Sequence, residues 1–344
     1  MAGFRKSLSF FAACWALLST SVALQGCQLP ESPRRRLFLL NDIANEPDDA
    51  QSLVRLLVYA NEFQIKGLVA TTSWWLNDTT RPDQMSDIVG GYAESVENLK
   101  KHASGWPEPD DLLDLIKSGS RYGMNGVGEN QNSEGSELLV AAVDKSEEPL
   151  WTPVWGGANT LAQALWYVNA TRSAERWTAS LRNCVCTRSP TRITAIRRNW
   201  PNLFYIASVH DFNRYANAAW GGISGDEYYH FPSNANKDVI SKSWIKQHIQ
   251  SVGPLGAQYP DGEFIIEGEV HFALTYAQLL TVQGDSPALL YMIPTGLSDP
   301  EHPEWGSWGG RYGPVAWGEG HFADSIDTII SESGSTMMGP HVTI

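Results

Sequence analysis

Four carboxylates fall within eight residues in the segment Asn41-Asp42-Ile43-Ala44-Asn45-Glu46-Pro47-Asp48-Asp49: those of Asp42, Glu46, Asp48 and Asp49. A cluster this dense repels itself unless a cation or protons neutralise it. Its donors are hard oxygens, with no His or Cys nearby, which favours Ca2+ over zinc or copper. A Ca2+ ion there could hold a water, lower its pKa and aim it at an electrophilic carbon, with one carboxylate taking the proton. The same cluster also reads as an acidic cap on a helix, where carboxylates meet free N–H groups and the positive end of the dipole.

The elements around the loop decide where those groups point. Leu37-Phe38-Leu39-Leu40 is wholly apolar, as in a strand buried on both faces of a parallel sheet. From Asp49 the period changes, and Ala50, Leu53, Val54, Leu57 and Val58 define one helical face. Residues 65–72 read as a second strand, so the opening is a βαβ unit and implies a parallel sheet. The alternation continues with helices over 110–117, 136–143 and 160–168 and strands over 150–155, 203–209 and 288–293. The fold class expected is therefore α/β, a mostly parallel central sheet with flanking helices. Ligands gather beyond the carboxyl ends of such strands. That singles out the loops beginning at Asn41, Thr72, Gly156, His210 and Pro294.

Composition narrows the function classes. The chain has 344 residues, 42% hydrophobic and 18% charged, which is globular. Arg5 and Lys6, the apolar run 10–18 and Ser21-Val22-Ala23 read as a secretory leader over 1–23. A Pro- and Arg-rich linker (24–36) follows it, and no later run is long and apolar enough for a membrane span. The protein is expected to be secreted. Losing Arg5 and Lys6 with the leader would take the net charge from −13 to −15. Such a charge argues against nucleic-acid partners and suits cations and uncharged substrates. Of four cysteines, Cys14 leaves with the leader, Cys27 lies in the linker, and Cys184 and Cys186 are too close to pair without strain. Of 14 tryptophans, Trp74-Trp75 after the second strand and Trp305 and Trp308 near the end could stack on a sugar or base. Asn77-Asp78-Thr79 and Asn169-Ala170-Thr171 are glycosylation sequons.

The strand, acidic loop and helix resemble the opening of nucleoside hydrolases, where a D-x-D-x-x-x-D-D-type loop holds Ca2+ and ribose. More closely, N-D-I-A-N-E-P-D-D-A-Q-S-L-V-R-L-L-V-Y-A-N-E-F resembles the secreted nucleoside-hydrolase-like family that carries a cellulose-binding label. Further blocks are Y-G-M-N-G-V-G-E (122–129), S-E-G-S-E-L (133–138), V-W-G-G-A-N-T-L-A-Q-A-L (154–165), P-N-L-F-Y-I-A-S-V-H (201–210) and I-P-T-G-L-S-D-P-E-H-P-E-W-G-S-W-G-G-R-Y (293–312). The resemblance implies a nucleoside-hydrolase-like domain over 37–325. Asp42, Asp48 and Asp49 would be metal and ribose ligands, Asn159 would give a backbone carbonyl to Ca2+, and Asp299 would be the last metal carboxylate. Asp42 or Asp48 would be the general base, with Trp74, Asn77 and His210 on the substrate side. The activity implied is hydrolysis of N-glycosyl, ribosyl-type bonds with a Ca-bound water, on a small nucleoside or glycoside. The alternative is a secreted carbohydrate- or cellulose-binding protein without turnover, whose partner is a polysaccharide.

Several positions depart from the family. Nucleoside hydrolases carry an acid four residues before the Asp pair, where this chain has Ala44. The related family reads G-G-D where Ala44-Asn45-Glu46 stands here. Residues 183–195 fit no strand or helix, and codons permitted for Cys184 to Ala195, read two bases later, can encode the family's R-V-Y-S-I-S-D-Q-D-N-G, as a frameshift would leave. Residues 268–283 interrupt E-G-D-[ST]-P between Gly268 and Asp285, as an unspliced intron would; a surface loop is the other reading of both. The family carries a further β-rich domain, and 326–344 reads as its truncated start.

Overall fold

The computed structural model describes residues 34–45, 47–72, 76–173, 184–187, 196, 198–208, 242–260, 285–316 and 319–324. The leader, most of the linker, residues 268–283 and 326–344, Trp74 and His210 lie outside the described residues. So do 183 and 188–195.

Strands β1 (Arg35–Asn41), β2 (Phe63–Ala70), β3 (Ile116–Ser118) and β4 (Leu150–Trp151) form a parallel sheet in the order β3-β2-β1-β4. A second group, β5 (Cys184–Thr187), β6 (Tyr205–Ser208), β7 (Tyr312–Pro314) and β8 (His321–Asp324), is ordered β5-β6-β8-β7, with only β7 antiparallel. The flanking helices are α1 (Pro47–Val58), α2 (Pro82–Ala93), α3 (Val96–Leu99), α4 (Pro109–Asp114), α5 (Glu134–Asp144), α6 (Asn159–Thr171), α7 (Lys242–His248), α8 (Pro254–Ala257) and α9 (Ser286–Met292).

β1 is the central strand, and its apolar run divides between two cores as a strand's alternation requires. Leu37 and Leu39 pack with α1, α2 and α9 through Leu53, Leu57, Met85, Tyr92, Leu289 and Tyr291. Phe38 and Leu40 pack with α5 and α6 through Leu139, Leu161 and Leu165. Each such side chain removed from water contributes roughly 1.5–3 kcal/mol. The Phe38 ring lies over Gly67 of β2 so closely that a Cβ there would come within 2.2 Å of it. On α1 the buried stripe is Ala50, Leu53, Val54, Leu56 and Leu57, while Val58 turns outward. Ser133 caps α5 reciprocally with Ser136, closing off two otherwise free donors.

Three expectations are corrected. Residues 288–293 are not a strand: Ser286–Met292 is the helix α9, with Asp285 at its N-cap and Pro287 in its first turn. A short apolar run buried all round cannot be assigned by period. Ala, Leu and Met favour helix, and a first-turn Pro helps to start one. Secondly, Cys184–Thr187 does form a strand, parallel to β6. Val and Thr favour extended backbone, and pairing with a neighbour outweighs the lack of alternation. Thirdly, the helix read over 110–117 ends at Asp114, and Ile116 already belongs to β3.

The direction of α9 matters for the site. Its first residue, Ser286, bonds Ser52 of α1 at 2.8 Å between hydroxyls. At its other end, the Met292 carbonyl accepts from Arg35 Nη1 at 3.2 Å, at the start of β1. The helix thus runs from the α1 side toward the amino end of β1, and residues 294–299 follow it there.

Candidate functional site

The acidic loop leaves the carboxyl end of β1 and turns at once into α1. The Asn45 side chain sets the turn by donating to the Asp42 carbonyl at 2.6 Å. Its Oδ1 accepts from the Leu76 N–H at 2.8 Å, tying the loop to the segment after β2. Between them Ala44 has φ of 79°, in the left-handed region, where a Cβ is strained. The position that the related family fills with glycine is one whose backbone suits glycine.

Asp48 and Asp49, in the first turn of α1, are 0% and 1% exposed. They converge with Asp285, the N-cap of α9, which is likewise 0% exposed. One carboxylate oxygen from each lies within 4.8 Å of those of the other two. Asp285 is the residue that sequence reasoning missed. A signal for it stands in Asp285-Ser286-Pro287, an acid at the N-cap followed by a helix-starting proline, whereas the family resemblance points to Asp299.

Asp299 stands elsewhere. It is close enough to Arg35 for its charge to offset the burial that lowers the Arg35 pKa, and its side chain accepts from the Glu301 N–H at 3.0 Å. Arg35 opens β1 and Asp42 follows its end, so the two are separated by about 20 Å of strand. The structure does not bring Asp299 to Asp48 and Asp49. The strand expected over 288–293 would have delivered it to the carboxyl edge, whereas α9 carries it the other way.

Asp42 lies outside the three-carboxylate group, on an adjoining wall. It is 7% exposed, and its carboxylate rests against Gly156: a Cβ at 156 would stand 2.0 Å from Oδ1. Gly157, at φ of 64°, presses as closely on Thr71, and Thr71 Oγ1 donates to the Gly156 carbonyl at 2.9 Å. Asn159 begins α6 at the same edge. Its Nδ2 donates to the Ser120 carbonyl at 2.8 Å, joining α6 to the end of β3. Asn77 is exposed, and its carbonyl accepts from the N–H of Tyr122 at 2.6 Å. Tyr122 is itself left-handed, with φ of 61°, and 59% exposed. Loops 42–45, 76–77 and 121–126 are thereby linked along one rim.

The donor set fits a hard cation. Three buried carboxylates in mutual contact are costly unless neutralised. Arg55 supplies one positive charge nearby, its guanidinium donating to the Ser286 hydroxyl and, at 3.0 Å, to Tyr259 OH. Burial raises the Tyr259 pKa, Arg55 draws it back, and the Asp48 charge adds to the rise. Beside the acids, Asn41 Oδ1 is fully buried and has no hydrogen-bond partner among the described residues, while its Nδ2 reaches the Asp49 carbonyl at 3.4 Å. These oxygens together are the kind that Ca2+ takes.

A mostly parallel sheet with flanking helices and a buried cluster of acids at its carboxyl edge places the chain in the nucleoside-hydrolase-like class of α/β proteins. The chain belongs to the family described as "Cellulose-binding Sde182, nucleoside hydrolase-like domain", whose profile matches residues 36–312. Among solved structures it is similar to a nucleoside hydrolase-related hypothetical protein from Saccharophagus degradans that is associated with carbohydrate metabolism. That likeness has 32% identity and a TM-score of 0.66, and covers 87% of this chain and 68% of the other. The search of curated proteins finds no match. Among the described residues no helix is long and apolar enough to cross a membrane.

Proposed function

We propose that this protein is a secreted, calcium-dependent hydrolase of ribosyl-type or related glycosyl bonds. The observation that carries the reading is the convergence of Asp48, Asp49 and Asp285, all buried, at one point beside the carboxyl edge of the sheet. Asp48, Asp49 and Asp285 would hold Ca2+, with Asn41 Oδ1 as a further oxygen. When bound, the cation would supply Lewis acidity, fixing sugar hydroxyls and making a water easier to deprotonate. Asp42, outside the cation group on the adjoining wall, would take the proton from the attacking water. The surrounding carboxylates would favour the positive charge that develops on the sugar as its bond to the leaving group breaks. Tyr122, held exposed on the rim, would offer a face to the leaving group.

A second reading is carbohydrate binding without turnover. Ala44 favours it, since nucleoside hydrolases place an acid there and this chain has a buried methyl group. Sugar release from a panel of nucleosides and nitrophenyl glycosides, with Ca2+ and with EDTA, separates the two. The hydrolase predicts release that needs Ca2+ and falls at least a hundredfold in Asp49→Asn, about 2.7 kcal/mol of transition-state stabilisation. Release indifferent to EDTA would refute the calcium mechanism. Silence from a folded native chain would leave the binding protein.

A further inference from the structure

Arg55, in the last turn of α1, has no task in the proposed chemistry. Asp48, Ser52 and Arg55 follow one another at i, i+4 and i+7, so they stack along one face of the helix. That face is turned toward the start of α9. Ser52 and Ser286 meet at 2.8 Å between hydroxyls, and Ser286 directly follows Asp285.

The Arg55 guanidinium closes this corner with both arms. Nη1 donates to the Ser286 hydroxyl, and Nη2 donates to Tyr259 OH at 3.0 Å. Its central carbon also stands over the Tyr259 ring, 5.8 Å from the centroid. Tyr259 is itself held in place. It is buried, and its carbonyl accepts from Gln250 Nε2 at 2.8 Å. The carbonyl of Pro260, next in the chain, accepts from Gln51 Nε2 of α1 at 2.9 Å. The Tyr259 phenol lies within reach of the Asp48 charge as well as that of Arg55. The planar fork of an arginine spans two such acceptors, which a lysine ammonium on its flexible stem does not.

We propose that Arg55 is the resident counter-charge of Asp48, Asp49 and Asp285. It offsets their mutual repulsion when no cation is bound, and it opposes the cation that enters. Buried like charges need such an offset to stay together, and Arg55 is anchored to the hydroxyl next to Asp285 and to the phenol beside Asp48. An arginine cannot ligate a cation, so Arg55 is a positioning residue whose effect on binding is electrostatic. Its role in the empty site stands on the geometry alone, whereas its role against an incoming cation rests on the calcium reading above.

A double-mutant cycle on the full chain in EDTA, followed by urea unfolding, tests the first role. Arg55→Met lowers the unfolding midpoint. It loses roughly half of that effect or more when Asp285 is already asparagine, because one of the charges it balances is gone. Arg55→Lys keeps the charge but not the fork, and retains most of the stability. Calorimetric titration with calcium chloride tests the second role. Arg55→Met takes up Ca2+ about threefold more tightly or better, and Arg55→Lys binds as the native chain does. An arginine that merely packs would give equal losses on both backgrounds and weaker Ca2+ uptake in Arg55→Met, and either result overturns the proposal. An Arg55→Met chain that is unfolded in EDTA but folds once Asp285→Asn is added supports it; one that folds in neither background counts against it. A native chain that ignores Ca2+ sinks the calcium reading, and the cycle in EDTA still decides for or against Arg55.

Discussion

The Asp pair and Asp285 show how unevenly a site is written in a sequence. Asp42, Asp48 and Asp49 stand in one short loop, so their proximity was legible from spacing, whereas the roles of ligand and base came only from the family resemblance. Asp285 reaches them only because α1 and α9 meet through Ser52 and Ser286, a contact that no local pattern encodes. Ala44 was legible as a departure, yet only the backbone shows what it does: its φ of 79° strains a residue that has a Cβ. Ala44→Gly removes roughly 1 kcal/mol of that strain, and glycine's greater freedom when unfolded returns part of it. The variant is expected to be more stable by roughly a few tenths of a kcal/mol, read from the midpoint of urea unfolding. An unchanged or lowered midpoint would mean that the loop is relaxed as it stands.

At the scale of elements, long periodic segments were readable and short buried ones were not. The α1 stripe follows its period almost throughout because polar Gln51, Ser52 and Arg55 alternate with it along the helix, although Gln51 and Ser52 are themselves buried. The run 288–293 offers no such contrast, since Ala288, Leu289, Tyr291, Met292 and Ile293 are all buried. The cost of misreading it was a reversed connection. A strand would have delivered Asp299 to the carboxyl edge, whereas the helix begins at that edge with Asp285 and leaves Asp299 beside Arg35. β5 failed for a similar reason: four residues are too few for alternation to appear, and the neighbouring strand supplies what local preference does not.

Across the whole molecule, burial also fixes how stability responds to pH. The hydroxyls of Tyr92, Tyr259 and Tyr291 are pushed above the ordinary tyrosine value, chiefly by burial. Above about pH 10 the unfolded chain releases these protons while the folded one keeps them. The unfolded state then binds fewer protons, so stability falls as pH rises. Their contribution is complete below that value, and melting temperatures should fall steeply above it; a flat profile there would show that these hydroxyls ionise freely when folded. The central claim, though, is that three buried carboxylates brought together by α1 and α9 hold a hard cation. It is tested most directly by calcium titration of the native chain and of Asp285→Asn, followed by calorimetry and thermal unfolding. The native chain should take up Ca2+ and gain about 2.7 kcal/mol at a hundredfold excess over the dissociation constant, and the variant should remain folded but bind at least tenfold more weakly. A native chain whose heat signal and melting temperature ignore Ca2+, or an Asp285→Asn chain that binds it as tightly, would contradict the account.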